Sequence, residues 1–227
     1  MQQLWKKTLL LLMLPGAIAT AQAVTLTFDA LPTPPPLDAL GGLYYANADS
    51  SLYGGVVWDS GLAIGGDELR VQTFPTPGPL FGIPHSGRRF LTNQGNGVSN
   101  DAMLLSTPLV LTGAWFGRNE YYGFGGGADS VTLHALNGST VLASVSLALP
   151  EDHPGQPEPL SFMNTSVFTT LTGITGYRID RTELGSQSGN WVGDDFSFTS
   201  AVPEPSSGLW LLGLAGVGAA VRRRRPT

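Results

Sequence analysis

From residue 24 to residue 201 the chain alternates short apolar runs with clusters of Gly, Pro, Asn and Asp, and no stretch sustains a helical period. Val24, Leu26 and Phe28 alternate with Thr25 and Thr27, and the proline cluster at 32–36 ends that run. The clearest pair is 131–136 with 139–147, joined at Asn137-Gly138. A two-residue turn there sets Leu133 opposite Leu142 but Val131 opposite Ser144, which mixes the faces. A three-residue loop with Gly138 left-handed pairs Leu133 with Val141 and Val131 with Ala143, giving one apolar stripe with His134 on the other side. The second register is the expected one. Further strands are expected at 52–58, 68–73, 103–105, 109–116, 167–171, 176–180 and 194–199. The proline-rich segments 73–84 and 150–159 are expected as loops, the second acidic and exposed. About ten short strands with frequent turn signals predict an all-β fold, an antiparallel sandwich or barrel.

The two ends depart from this pattern. Lys6 and Lys7, the apolar run 9–14 and the small residues of Ala21-Gln22-Ala23 have the order of a secretory signal, predicting cleavage after Ala23. At the other end, Val202-Pro203-Glu204-Pro205-Ser206 precedes an apolar stretch at 208–221, followed by Arg222, Arg223, Arg224 and Arg225. As a helix that stretch reaches roughly 21 Å against a hydrocarbon core of about 30 Å, so flanking serines and snorkelling arginines would complete a span. The arginines hold that end on the cytoplasmic side and leave the domain on the far side, the side a secretory signal delivers it to. The organisation expected is a signal peptide at 1–23, one domain at 24–201 and a sorting tail at 202–227, with a transmembrane segment at 207–221.

Charge changes the picture once the ends are removed. The 24–201 segment holds six arginines, no lysine and sixteen carboxylates, a formal charge near −10 against −5 for the whole chain. Such a surface disfavours nucleic acid and anionic lipid as partners. Cysteine is absent, which removes disulfides, thiolate nucleophiles, thiolate zinc sites and iron–sulfur clusters from consideration.

The tail resembles the PEP-CTERM sorting signal of Gram-negative bacteria: a Pro-Glu-Pro core, an apolar segment and a basic stop, in that order. The resemblance implies recognition by an exosortase, a membrane processing enzyme, after passage through the secretion machinery. It also implies anchoring in the inner membrane before processing, then a destination at the cell surface or in an exopolysaccharide matrix. A second Pro-Glu-Pro at Pro157-Glu158-Pro159 has neither the apolar segment nor the basic stop and is expected to be loop composition. The domain in turn looks like the β-sandwich common on such proteins, through Thr27-Phe28-Asp29, Tyr53-Gly54-Gly55-Val56-Val57-Trp58 and Asp194-Asp195-Phe196-Ser197-Phe198. That likeness implies a jelly-roll-like fold of the kind carbohydrate-binding modules use.

Candidate chemistry is sparse. Asp194 shares its expected strand face with Phe196 and Phe198, which points it toward the core edge, where a carboxylate needs donors or a cation. First and last strands meeting in a jelly roll would bring Asp29 to Asp194 and Asp195, an oxygen-ligand set suited to calcium; capping a turn, or pairing with Arg178 or Arg181, is the structural alternative. His85, His134 and His153 lie apart with no ligand spacing and are expected on the surface. The glycine loop 123–127 lacks the Lys-Ser/Thr of a phosphate loop. Tyr121 and Tyr122 border it and are the candidates for stacking on sugar rings, while Trp58, Trp115 and Trp191 are expected mainly in the core. The function expected is an exported, non-catalytic surface or matrix protein with polysaccharide as a candidate partner. A glycosidase or lyase on the same scaffold would need two carboxylates facing across a cleft, and Asp101, Glu120 and Asp129 are scattered along the chain.

Overall fold

The computed structural model describes residues 23–29, 52–59, 62–66, 70–71, 78–79, 82–93, 102–119, 127–152, 158–182 and 189–200. In chain order the strands are β1 (Ala23–Leu26), β2 (Leu52–Tyr53), β3 (Val56–Trp58), β4 (Ala63–Gly66), β5 (Arg70–Val71), β6 (Gly78–Pro79) and β7 (Arg89–Thr92). There follow β8 (Ala102–Leu105), β9 (Leu109–Arg118), β10 (Ser130–Asn137), β11 (Thr140–Ala148), β12 (Ser161–Asn164), β13 (Gly176–Arg181) and β14 (Trp191–Ser200). Two antiparallel sheets form a sandwich. One runs β12-β9-β14-β7-β4, with β1 also on β14; the other runs β11-β10-β13-β8-β3-β2, and β5 and β6 make a separate ladder.

From β8 onward the chain crosses repeatedly between the sheets, so its alternating residues meet across one core. Val131, Leu133 and Ala135 of β10 face Phe116, Phe196 and Phe198 of the opposite sheet within it, all buried. Phe28, Trp58, Phe116, Trp191 and Phe196 touch in edge-on pairs with centroids 5.3–6.0 Å apart. Such geometry sets the positive ring edge against the negative ring face. Tyr177 carries its hydroxyl into this apolar region, where it accepts the Leu111 N–H at 2.8 Å. Burial pushes its phenol up to about 12.

Several expectations change. The β10–β11 hairpin turns through Gly138-Ser139, with Asn137 paired to Thr140, Leu133 to Val145 and Val131 to Leu147. A bulge at Leu142 absorbs the odd residue, which a search among loop lengths alone does not offer. The apolar stripe survives with different partners, and His134 is on the outer side as expected. Residues 166–170 form a 3-10 turn that buries Phe168, not a strand. β4, β6, β7 and β12 are additional strands, β6 lying inside the 73–84 segment expected as a loop, and 52–58 divides into a hairpin at Gly54-Gly55. Gly54 has φ +63°, and a methyl group there would run into the Leu26 side chain, so the turn requires glycine. Glu158, expected on an exposed loop, is 3% exposed.

Candidate functional site

Three carboxylates close on one short loop. Between Asp194 and Ser197 the β14 ladder is irregular, with Asp195 at φ +49°, so alternation restarts there. Asp194 therefore lies on the outer side opposite Trp115, its cross-strand partner, while Phe196 and Phe198 point inward; the shared face read from spacing does not hold. Asp194 is nevertheless fully buried, because residues 85–88 fold over it. Its Oδ2 accepts the backbone N–H groups of His85 (2.9 Å) and Ser86 (3.0 Å), and its Oδ1 accepts that of Asp195 (2.7 Å). Asp195 accepts His85 Nδ1–H at 2.6 Å and the Ser86 hydroxyl at 2.7 Å. Asp29 accepts the Arg88 N–H at 2.8 Å. Gly87, at φ +58°, lies so close that a Cβ would strike the Asp29 carboxylate.

The fold sets Asp29, Asp194 and Asp195 around the peptide groups of one loop. Asp194 accepts three hydrogen bonds, Asp195 two and Asp29 one, all from N–H and O–H donors, the partners a buried carboxylate requires. Neither Arg178 nor Arg181 takes part. Burial pushes Asp194 up to about 7, aided by the Asp195 charge, while the bonds from Ser86, Asp195 and His85 pull the other way. Among the described residues no group of three or more His, Asp or Glu is arranged to hold a metal ion.

The clamped loop also builds an aromatic ledge. His85 lies flat on Trp115, centroids 3.6 Å apart and planes at 14°, and Phe162 of β12 leans on the same indole at 5.3 Å. Phe162 is 48% exposed. Sequence reasoning placed Trp115 in the core and missed this cluster. The one signal was Gly113 and Gly117 flanking Trp115, leaving room on that strand face for rings from elsewhere.

The outer face of the other sheet is polar. Ser144, His134 and Arg178 form one cross-strand row, and Ser146, Thr132 and Asp180 the next. His134 Nε2–H donates to Asp180 at 3.0 Å, and its Nδ1 meets the Ser144 hydroxyl at 2.7 Å. Arg178 grips Asp180 through Nε and Nη2 at 2.6 and 3.0 Å. Burial acts to raise the Asp180 carboxyl, but the Arg178 bonds and charge, with His134, hold it below its usual range. Ser, His and Asp are here the residue types of a nucleophilic triad, yet Asp180 is already committed to Arg178 and the row lies on a sheet face. Asp129, one of the scattered acids, pairs with the buried Arg118 at 2.5 Å, and Glu151 joins at 3.3 Å.

Ala23 opens β1, paired with Thr199, so the expected cleavage bond to Val24 lies at the start of a ladder. Ala21, Tyr121, Tyr122, Val202, Pro203, Glu204, Pro205, Ser206 and Arg222, Arg223, Arg224 and Arg225 lie outside the described residues, as do the expected signal and transmembrane helices. No helix among the described residues is long and apolar enough to cross a membrane. The two Pro-Glu-Pro copies differ in context: in the internal one, Glu158 is buried against the β-sandwich.

In the sequence the β-sandwich is followed at once by a tail of Pro-Glu-Pro, an apolar run and four arginines. The tail is matched by the PEP-CTERM protein-sorting motif over residues 201–225. The chain therefore carries that motif, which implies export, a membrane-anchored C-terminal tail before processing, and exosortase as the processing enzyme. No curated protein matches the sequence. Among solved structures, a DUF4465 family protein from Bacteroides ovatus ATCC 8483 is similar at a TM-score of 0.44 and 10% identity, covering 79% of this chain and 99% of that one.

Proposed function

We propose that this chain is an exported, non-catalytic β-sandwich protein that its tail delivers to the cell surface or to an extracellular polysaccharide matrix. The sorting motif at 201–225 carries this reading. The secretory pattern at 1–23 supports it from the opposite end of the chain. The non-catalytic part is supported by the use of the described carboxylates: Asp29, Asp194 and Asp195 hold a loop, Asp129 holds Arg118 and Asp180 holds Arg178. On this reading the sandwich is jelly-roll-like and calcium has no part in the Asp cluster. Fractionation of the source cells tests it. The full-length protein should accumulate in the inner membrane when the exosortase is deleted and reach the surface or matrix when it is present. A soluble cytoplasmic protein in both strains contradicts it.

Carbohydrate binding is a second reading, favoured by the ledge of Phe162, Trp115 and His85. Flat rings on a sheet face suit the C–H face of a sugar, with Asp195 alongside to accept hydroxyl bonds. The acidic domain favours a neutral polysaccharide over a uronic one. Affinity electrophoresis of the full chain in neutral-glucan and uronate gels should show retardation in the neutral gel, lost in Phe162→Ala. Equal mobility of wild type and variant contradicts the reading.

A further inference from the structure

Both chain ends of the sandwich leave from one pole, and that pole differs from the rest of the domain. β1 begins at Ala23 beside Thr199, and β14 ends at Ser200 beside Leu109. The hairpin at 53–56, the 105–108 crossing and the hairpin at 137–140 are at the same end, stitched by the ladder pairs Val56–Leu105, Leu104–Gly176 and Gly176–Leu136. Turn bonds add Ser106 N–H to Gly55 O at 3.0 Å and Thr175 N–H to Leu136 O at 2.8 Å. Residues 53–56, 105–108, 137–140 and 166–175 contain no Asp, Glu, Lys or Arg, in a domain of formal charge near −10. The described charges lie on the outer faces and toward the opposite end.

Apolar exposure is distributed the other way. Among the described residues the large hydrophobic side chains left exposed are Val24 (38%), Leu104 (57%), Val141 (44%), Val167 (51%) and Phe162 (48%), and the first four belong to this pole. On the polar sheet the change is visible row by row. The row Ala102, Arg178, His134 and Ser144 gives way, one row nearer the pole, to Leu104, Gly176, Leu136 and Val141. Monomeric proteins leave single apolar side chains exposed as a matter of course; a cluster that coincides with a charge-free zone marks a contact surface.

The chain beyond Ser200 identifies the occupant. The apolar segment of the tail begins eight residues later, at Gly208, a span of at most about 29 Å fully extended. We propose that the pole carrying Val24, Leu104, Val141 and Val167 is a lipid-docking surface that rests on the membrane interface while the tail is anchored. The proposal rests on the sorting reading above. A domain this acidic is repelled by an anionic leaflet, so the pole whose described turns carry no carboxylate is the one that can approach it. Four half-exposed aliphatic side chains give weak interfacial affinity in isolation. A tether this short raises their effective concentration at the membrane, so weak contacts suffice.

The chain has no cysteine, so one introduced thiol is unique. Full-length Val167→Cys and Asp152→Cys, each carrying an environment-sensitive dye, are to be reconstituted in phosphatidylethanolamine–phosphatidylglycerol vesicles containing spin-labelled lipid. Docking predicts about twofold quenching at position 167, none at position 152, and recovery of the 167 signal on adding Leu104→Asp and Val141→Asp. Lengthening the tether by twenty Gly/Ser residues tests whether the contact is more than enforced proximity; quenching at 167 should persist, though reduced. Protein that sediments with the vesicles but shows equal signals at both positions overturns the docking surface and leaves the sorting reading intact. Protein that does not sediment overturns both. Quenching at 167 confined to native membranes that hold the processing enzyme overturns lipid in favour of a protein partner.

Discussion

The two ends of this sandwich are built on opposite principles. At the end remote from the chain termini, order comes from charge: Arg118, 4% exposed, closes the ends of β9, β10 and β11 by gripping Asp129 and Glu151. The His85 loop is fastened in the same manner by Asp194, Asp195 and Asp29. At the end from which both termini leave, no described turn uses an ion pair. It is closed by backbone geometry, with left-handed glycines at 54, 55, 138 and 173, hydroxyl-to-backbone bonds such as Gly138 N–H to Thr175 Oγ1, and the buried Phe168. An acidic domain can thus keep its charge for solubility in one region and omit it in another. The omission falls where the chain continues into the sorting motif.

The largest expected effect lies on the charged side. With a folded value of about 7 and an unfolded value near 3.9, Asp194 binds more protons folded than unfolded between those limits. Its contribution to stability is therefore fully present below pH 4 and lost as pH rises through 7. Asp194→Asn should remove this dependence. Urea melts from pH 4 to pH 8 should shift in the variant's favour by on the order of 3 kcal/mol. A constant difference across that range contradicts the assignment.

Next comes the uncharged end. Gly54→Val meets both a left-handed backbone and the Leu26 side chain, and should cost about 3 kcal/mol in chemical denaturation. Arg118→Met should cost about 2 kcal/mol by loss of charge-assisted hydrogen bonds. Added salt should narrow the Arg118 difference and leave the Gly54 difference unchanged, separating the two kinds of closure in one titration. Val167→Ser should stay within about 0.5 kcal/mol of wild type, as expected where a side chain's exposure serves contact and not folding. Smallest of all, millimolar calcium should leave the melting temperature unmoved, since the Asp194 and Asp195 oxygens and Asp29 Oδ1 already accept hydrogen bonds. A concentration-dependent rise contradicts that reading.

How much of this was legible in the sequence depended on how local its cause was. Strict alternation located β9, β10, β11 and β13, and the pairing of first and last strands was foreseen. Single-residue irregularities were not. The bulge at Leu142 and the break at Asp195 each reverse the facing of the residues beyond them, and neither leaves a mark in composition. The 166–170 turn was mistaken for a strand because Val167, Phe168 and the threonines favour strands, whereas burial of Phe168 decided the outcome. Asp29, Asp194 and Asp195 were expected to meet as metal ligands; their partners are mainly backbone N–H groups of a loop that sequence does not attach to them. The His85–Trp115 stack was out of reach for the same reason, joining residues thirty positions apart through that loop. The pole contrast was hidden because charge-free segments 105–108, 137–140 and 166–175 look ordinary one at a time and become a surface only when the sheets assemble them.

If both ends of the chain are processing signals, the intact mass of the protein recovered from the cell envelope and medium shows it directly. A species beginning at Val24 and lacking the residues beyond the Pro203-Glu204-Pro205 motif is the predicted result. It should convert to the membrane-retained, tail-bearing form when that motif is replaced by alanines, and be unaffected when Pro157, Glu158 and Pro159 are replaced. Recovery of an unprocessed chain from Met1 to Thr227 in the cytoplasm would contradict it.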